Sequence, residues 1–145
     1  MKRLITLMMT LAFTLSCFFS ISAYAAQDNQ DNTAIPYAST YFSNYSAEII
    51  PKNNGKITIR YSVQAKTPMI ELGASKVVVQ EKSGSTWTDK KTFKKSTTSS
   101  MVGSNKAVFS KDLSYSGTEG KDYRAIVTFY AKDSNGSATK TYTCY

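Results

Sequence analysis

The sequence of 145 residues contains no histidine. That absence removes Ser-His-Asp and Cys-His catalysis, the commonest general base, and zinc sites built on imidazole. Cysteine is nearly as scarce: Cys17 and Cys144 are the only two. If the N-terminal segment is cleaved, Cys144 alone remains and no intramolecular disulfide can form, which is unusual for a small exported protein. The fold must then rest on a hydrophobic core. Cys144 reads as a small buried apolar residue near the end of the last strand, with a free thiol able to pair between chains as the alternative. No segment after the N-terminal run shows a helical period, and there are no long internal repeats.

What is present begins with an export signal. Lys2 and Arg3 precede an apolar run from Leu4 to Ile21, and Ala23-Tyr24-Ala25 fits the small-x-small cleavage rule. Residues 1–25 therefore read as a signal peptide, with the mature chain starting at Ala26. A transmembrane anchor is the alternative for a run of this length, but no basic or polar stop-transfer cluster follows. Cys17 follows Thr14-Leu15-Ser16, a poor match to a lipidation signal. The formal charge of the whole chain is +8, and removing Lys2 and Arg3 leaves +6. A basic exported protein is drawn to polyanions such as wall polymers, anionic lipid or nucleic acid. With no C-terminal sorting signal, the expected location is extracellular, with retention at the cell wall through charge.

Residues 26–44 are polar, amide-rich and broken by Pro36, and read as a leader ending in a short aromatic segment that contains Tyr37, Tyr41 and Phe42, with Tyr45 just beyond. Residues 45–145 read as one β domain. The expected strands are 47–50, 56–65, 76–80, 87–93, 107–113, 122–131 and 138–145, with 94–104 as a loop. The clearest alternation is in 56–65, where Ile57, Ile59, Tyr61, Val63 and Ala65 share a face. It recurs in 122–131 with Tyr123, Ala125, Val127, Phe129 and Ala131. Asp133-Ser134-Asn135-Gly136 turns the last hairpin, where Asn-Gly suggests a tight turn with positive backbone dihedrals. About seven short strands predict a single antiparallel β-sandwich, immunoglobulin-like or fibronectin type III-like, with a closed barrel as the alternative. Two residues sharpen this reading. Trp87 is the only tryptophan, and Tyr123 follows Gly117-Thr118-Glu119-Gly120, where a tyrosine-corner hydroxyl would bond back to the preceding turn.

The stretches "YSAEI", "GKITIRYSVQA", "PMIELGASKVVVQ" and "YSGTEGKDYRAIVTFYA", with the lone Trp87, resemble a family of small secreted proteins of clostridia and related Gram-positive bacteria. The likeness spans roughly 37–132, and its most specific parts are Met69 with Leu72-Gly73-Ala74, and Gly117 through Tyr123. That family is a domain of unknown function. The resemblance implies export and a β-sandwich and carries over no catalytic or binding residue.

Chemistry is sparse. Carboxylate catalysis needs two acids held together in a cleft, yet Glu48, Glu71, Glu81, Asp89, Asp112, Glu119, Asp122 and Asp133 lie singly. Asp28-Asn29-Gln30-Asp31-Asn32 lacks the Gly and terminal Glu of a calcium loop, so neither a metal nor another cofactor is expected. The basic cluster Lys82, Lys90, Lys91, Lys94 and Lys95 is the candidate site for an anionic wall polymer. In an unbroken strand Lys91 and Lys95 share one face, and Lys90 and Lys94 the other. The same lysines equally protect an exposed sheet edge from pairing with another chain. No nucleic-acid-binding motif accompanies them. Tyr41, Tyr45, Tyr130 and Tyr145 are candidates for outward faces. Tyr130 and Tyr145, on the two strands of the last hairpin and read as cross-strand neighbours, form a candidate aromatic contact surface for sugar or protein, with packing under residues 37–45 as the alternative. The reading is a secreted non-enzymatic binding or structural module whose partner is an anionic wall polymer or an extracellular protein. A secreted toxin or bacteriocin-like effector is the alternative.

Overall fold

The computed structural model describes residues 41–145; the expected signal peptide and residues 26–40 of the leader lie outside the described residues. Alternation sets the local structure as expected. Ile57, Ile59, Tyr61, Val63 and Ala65 are all buried while Arg60 and Gln64 are exposed, and Tyr123, Ala125, Val127, Phe129 and Ala131 are buried in the same way. The described chain is all-β: β1 (Phe42–Pro51), β2 (Lys56–Ser83), β3 (Thr86–Lys94), β4 (Val102–Ser116), β5 (Tyr123–Lys132) and β6 (Ser137–Cys144). A single 3-10 turn, Ser99–Met101, leads into β4. Every pairing is antiparallel, and the strands form one six-stranded sheet.

Two of the expected strands, 56–65 and 76–80, are parts of one 28-residue strand, β2. The residues between them carry no strand expectation from sequence, and Pro68 lies among them. Pro68 is accommodated because it falls in a gap in the pairing. β1 pairs β2 only as far as Ala65, β4 skips from Gln64 to Met69, and β5 begins at Glu71. The missing proline N–H therefore costs no ladder bond. The first half of β2 is flanked by β1 and β4, the second half by β3 and β5, and β6 adds beyond β5. A register shift between Ala74 and Lys76 adds to the bend.

The bend curls the sheet so that β1 packs over β5 and β6. Tyr45 lies 5.0 Å from the ring of Phe129 and 6.3 Å from that of Tyr142. Tyr45 is thus on the core side and not on an outward face, and Phe42, read as part of the leader, is buried in the core. Tyr41 also packs against the core, and its hydroxyl donates to Asp133 at 3.3 Å. At the centre, Tyr61 is fully buried and donates to the carbonyl of Met101 at 2.7 Å, so its one polar group is satisfied. The expected 94–104 loop is shorter than its composition suggests, because β4 starts at Val102 and runs to Ser116.

The chain turns at Asn53-Asn54-Gly55, after Pro51, as their turn-forming residue types suggest, and again after β5, where the dihedrals differ from the expectation. The left-handed Asn-Gly pair is Asn54 (φ 59°) and Gly55 (φ 68°), between β1 and β2, as a type I′ turn requires. At the β5–β6 turn Asn135 does not take a positive φ. There the carboxylate of Asp133 accepts the backbone N–H groups of Asn135 (2.8 Å) and Gly136 (3.0 Å), and this side chain holds the turn.

Gly73 is where β2 passes under the 3-10 turn. A Cβ there would collide with the Met101 carbonyl oxygen and lie 2.7 Å from Val102 Cα, both backbone atoms. Gly73→Ala is expected to cost at least about 2 kcal/mol, read as a lowered urea midpoint; an unchanged midpoint would contradict this packing. Cys144 is buried, its thiol directed at the Ala125 carbonyl (3.7 Å), and burial pushes its pKa up to about 11. The folded protein is expected to resist alkylation at Cys144 at pH 8 and to react promptly in denaturant, which mass spectrometry would follow.

Candidate binding site

The five candidate lysines lie on and around β3, which pairs with β2 alone and leaves its other edge open among the described strands. A bulge changes the face expected for Lys90 relative to Lys94. Val79 pairs with Lys91 and Gln80 with Asp89, so Lys90 is the extra residue and the alternation slips by one. Lys90 reaches Glu81 (3.2 Å), and Lys91 lies over the ring of Phe93 (5.7 Å). Lys95, just past the strand, bonds Glu71 (2.7 Å) and sits over Tyr130 (3.6 Å). Lys94 stands opposite Lys76 in the register, and Lys82 opposite Trp87. Lys82, Lys91 and Lys94 have no ion pair among the described residues, whereas Lys90 and Lys95 have carboxylate partners.

Tyr130 and Tyr145 are not cross-strand neighbours. Tyr130 pairs with Thr139, and Tyr145 lies past the last pair, Ala125 with Cys144. Tyr130 belongs with Lys95 and Glu71, whereas Tyr145 is 72% exposed and meets Trp87 edge-on at 6.0 Å. Trp87 is outside the buried core, half-exposed on edge strand β3. It differs in this from the central tryptophan of an antibody domain, because the core is filled by Tyr61 and Phe129.

At this end of the sheet a groove of about 380 Å³ is lined by Ile49, Pro51, Ile57, Lys82, Trp87, Lys121, Asp122, Tyr123 and Tyr145. Four of these, Lys82, Trp87, Tyr123 and Tyr145, were singled out by sequence. The other five, from β1, the start of β2 and the β4–β5 loop, are not among the sequence-derived binding candidates, although Ile57 is placed on a buried face by its alternation and Asp122 is noted as a lone acid. The groove walls are tied down. Tyr123 accepts the Thr118 N–H (2.7 Å) and donates to Glu81 (2.8 Å), the bond back to the preceding turn that the sequence suggested. The Lys82 N–H donates to the Asp122 carbonyl (3.0 Å), joining the β4–β5 loop to β2. The Trp87 ring is covered on one side by the Arg124 guanidinium at 4.6 Å. Arg124 is in turn held by Gln80 (2.7 Å), and Gln80 by Asp89.

The acids have identifiable partners. Glu48 and Asp112 flank Arg60, which separates them on an exposed strand face. Among the described residues no three His, Cys, Asp or Glu side chains converge as metal ligands. Four carboxyls are held below their ordinary range: Glu81 chiefly by the Tyr123 hydroxyl, Glu71 and Asp112 by Lys95 and Arg60, and Asp133 by backbone N–H groups.

A carboxyl whose folded pKa is depressed stabilises the fold above its unfolded pKa, and that stability is lost as pH falls through the folded value. The melting temperature is therefore expected to be level between neutral pH and about 5 and to fall below about 4. Glu81→Gln should lower the midpoint at pH 7 and shrink the acid fall; a midpoint independent of pH down to 3 would contradict these pairings. No family model matches the chain, no curated protein is detectably similar in sequence, and no solved structure matches its fold.

Proposed function

We propose that this protein is a secreted, non-catalytic binding module that attaches to anionic polymer of the Gram-positive cell wall. The observation that carries the reading is charge left uncompensated beside the open edge. Lys82, Lys91 and Lys94 have no ion pair among the described residues, while Glu71 and Glu81 on the neighbouring strand β2 are engaged by Lys95, Lys90 and Tyr123. Exposed ammonium groups stay hydrated at little cost and keep their field available to a polyanion. They also discourage edge-to-edge pairing between copies, so one feature serves solubility and attachment together.

On this reading the curled sheet is a variant of the immunoglobulin-like or fibronectin type III-like sandwich, with β2 shared between its two layers. Tyr123, bonded back to the turn before β5, supports that kinship. So does the resemblance to the secreted clostridial proteins, whose specific stretch 117–123 forms the loop beside the groove. The N-terminal pattern supports export.

The test is co-sedimentation of the mature protein with purified Gram-positive walls across a salt series. Binding at physiological salt is expected, reduced at least about tenfold when Lys82, Lys91 and Lys94 are changed to Gln, a loss equivalent to about 1.4 kcal/mol. Binding unaffected by those changes would refute the lysine edge. No binding at any salt, together with killing of neighbouring bacteria, would favour a toxin.

A further inference from the structure

Resting on that reading, we infer that the groove beside Trp87 is a sugar site, and that the sugar it takes carries a negative charge. Three features of the groove point to this ligand. The first is aromatic surface at its rim: Trp87 and the 72% exposed Tyr145, whose rings meet at 6.0 Å. Aromatic faces bind the C–H faces of a sugar ring, and an aromatic ring already held in place loses little freedom on binding. Trp87 is held in this way. Arg124 covers one side of the indole at 4.6 Å, and Gln80 anchors Arg124 at 2.7 Å.

The second feature is polarity at the rim. Lys82 and Lys121 border the groove and have no ion pair among the described residues, and Asp122 stands beside Lys121. Two ammonium groups select a carboxylate or phosphate, and a single carboxylate can accept ring hydroxyls. The third is size and support. About 380 Å³ is the lower range of small-molecule sites, over an apolar floor of Ile49, Pro51 and Ile57. The loop that supplies Lys121 and Asp122 is fixed at both ends, by Tyr123 on Thr118 and by Lys82 N–H on the Asp122 carbonyl. A neutral sugar would leave the two ammonium groups unanswered. A simple anion would leave the aromatic rim unused. A sugar ring bearing an acidic group engages both.

Trp87 is the only tryptophan, so its fluorescence reports this groove. The full mature protein is titrated at physiological salt with a short oligogalacturonide, glucose 6-phosphate, neutral cellotriose and inorganic phosphate. Saturable change with one or both acidic sugars is expected, with cellotriose and phosphate at least about tenfold weaker, or about 1.4 kcal/mol. Whichever acidic sugar binds identifies carboxylate or phosphate as the charge. Tyr145→Ala, at an exposed position outside the sheet, should weaken binding about tenfold while the melting temperature holds. Lys82→Gln with Lys121→Gln should abolish the preference for the acidic sugar. No saturable response, equal response to cellotriose, or equal response to phosphate overturns the inference. The wall assay separates the two levels. Walls that bind while Trp87 is silent refute this site alone, and walls that fail to bind refute the attachment reading beneath it.

Discussion

Backbone hydrogen bonding along β2 is the constraint on which the rest of the molecule depends. A strand of 28 residues carries a donor and an acceptor at nearly every position, and buried ones must be paired. No single neighbour is long enough to do this. β1 and β4 serve the first half, β4 and β5 the middle, and β3 and β5 the last part. Each change of partner is a place where the sheet can bend, and the largest gap falls at Pro68, the residue with no N–H to satisfy. The curl, and with it the core, follows from that handover.

Curling encloses the apolar face and leaves an open end, and the groove lies at that end. Its apolar floor is Ile49, Pro51 and Ile57, of which only Ile57 is buried, and its rim carries Trp87, Tyr145 and charged side chains. Tyr123 connects the two. Its ring is buried with the core, while its hydroxyl ties the β4–β5 loop and Glu81 together. The same residue therefore contributes to stability and sets where Lys121 and Asp122 stand. Charge is distributed on the opposite principle: Lys82, Lys91 and Lys94 at the edge and Lys121 at the rim have no ion pair among the described residues.

The strands were legible wherever alternation was strict. In 56–65 and 122–131 the face assigned to the core from sequence is the buried face, residue for residue. Legibility failed where a local signal was outvoted by long-range pairing. The stretch between 65 and 76 carries no strand expectation, yet it continues β2, and Pro68 is tolerated there because the surrounding strands leave its position unpaired. Asn135-Gly136 suggests a tight turn with positive dihedrals, yet the Asp133 side chain caps it, and the consecutive positive φ values appear at Asn54-Gly55. The expected pairing of Lys90 with Lys94 on one face missed the extra residue at Lys90, which shifts the alternation there, and a bulge leaves no mark in a single strand's sequence. Tyr145 could not be placed against Trp87, 58 residues away, since their contact depends on how β3 and β6 flank β2 and β5.

The sequence by itself determined which chemistry is out of reach, where charge accumulates, and which side of each regular strand is apolar. Those properties are local: they depend on residue type and on the two-residue period of a strand. Tertiary structure alone decided that two strands are one, which lysines keep their charge free, and that Trp87, Tyr145, Lys82, Lys121 and Asp122 border a common groove. Those outcomes depend on register between segments distant in the chain. Register is chosen by the best joint burial of all the faces at once, so no single segment encodes it.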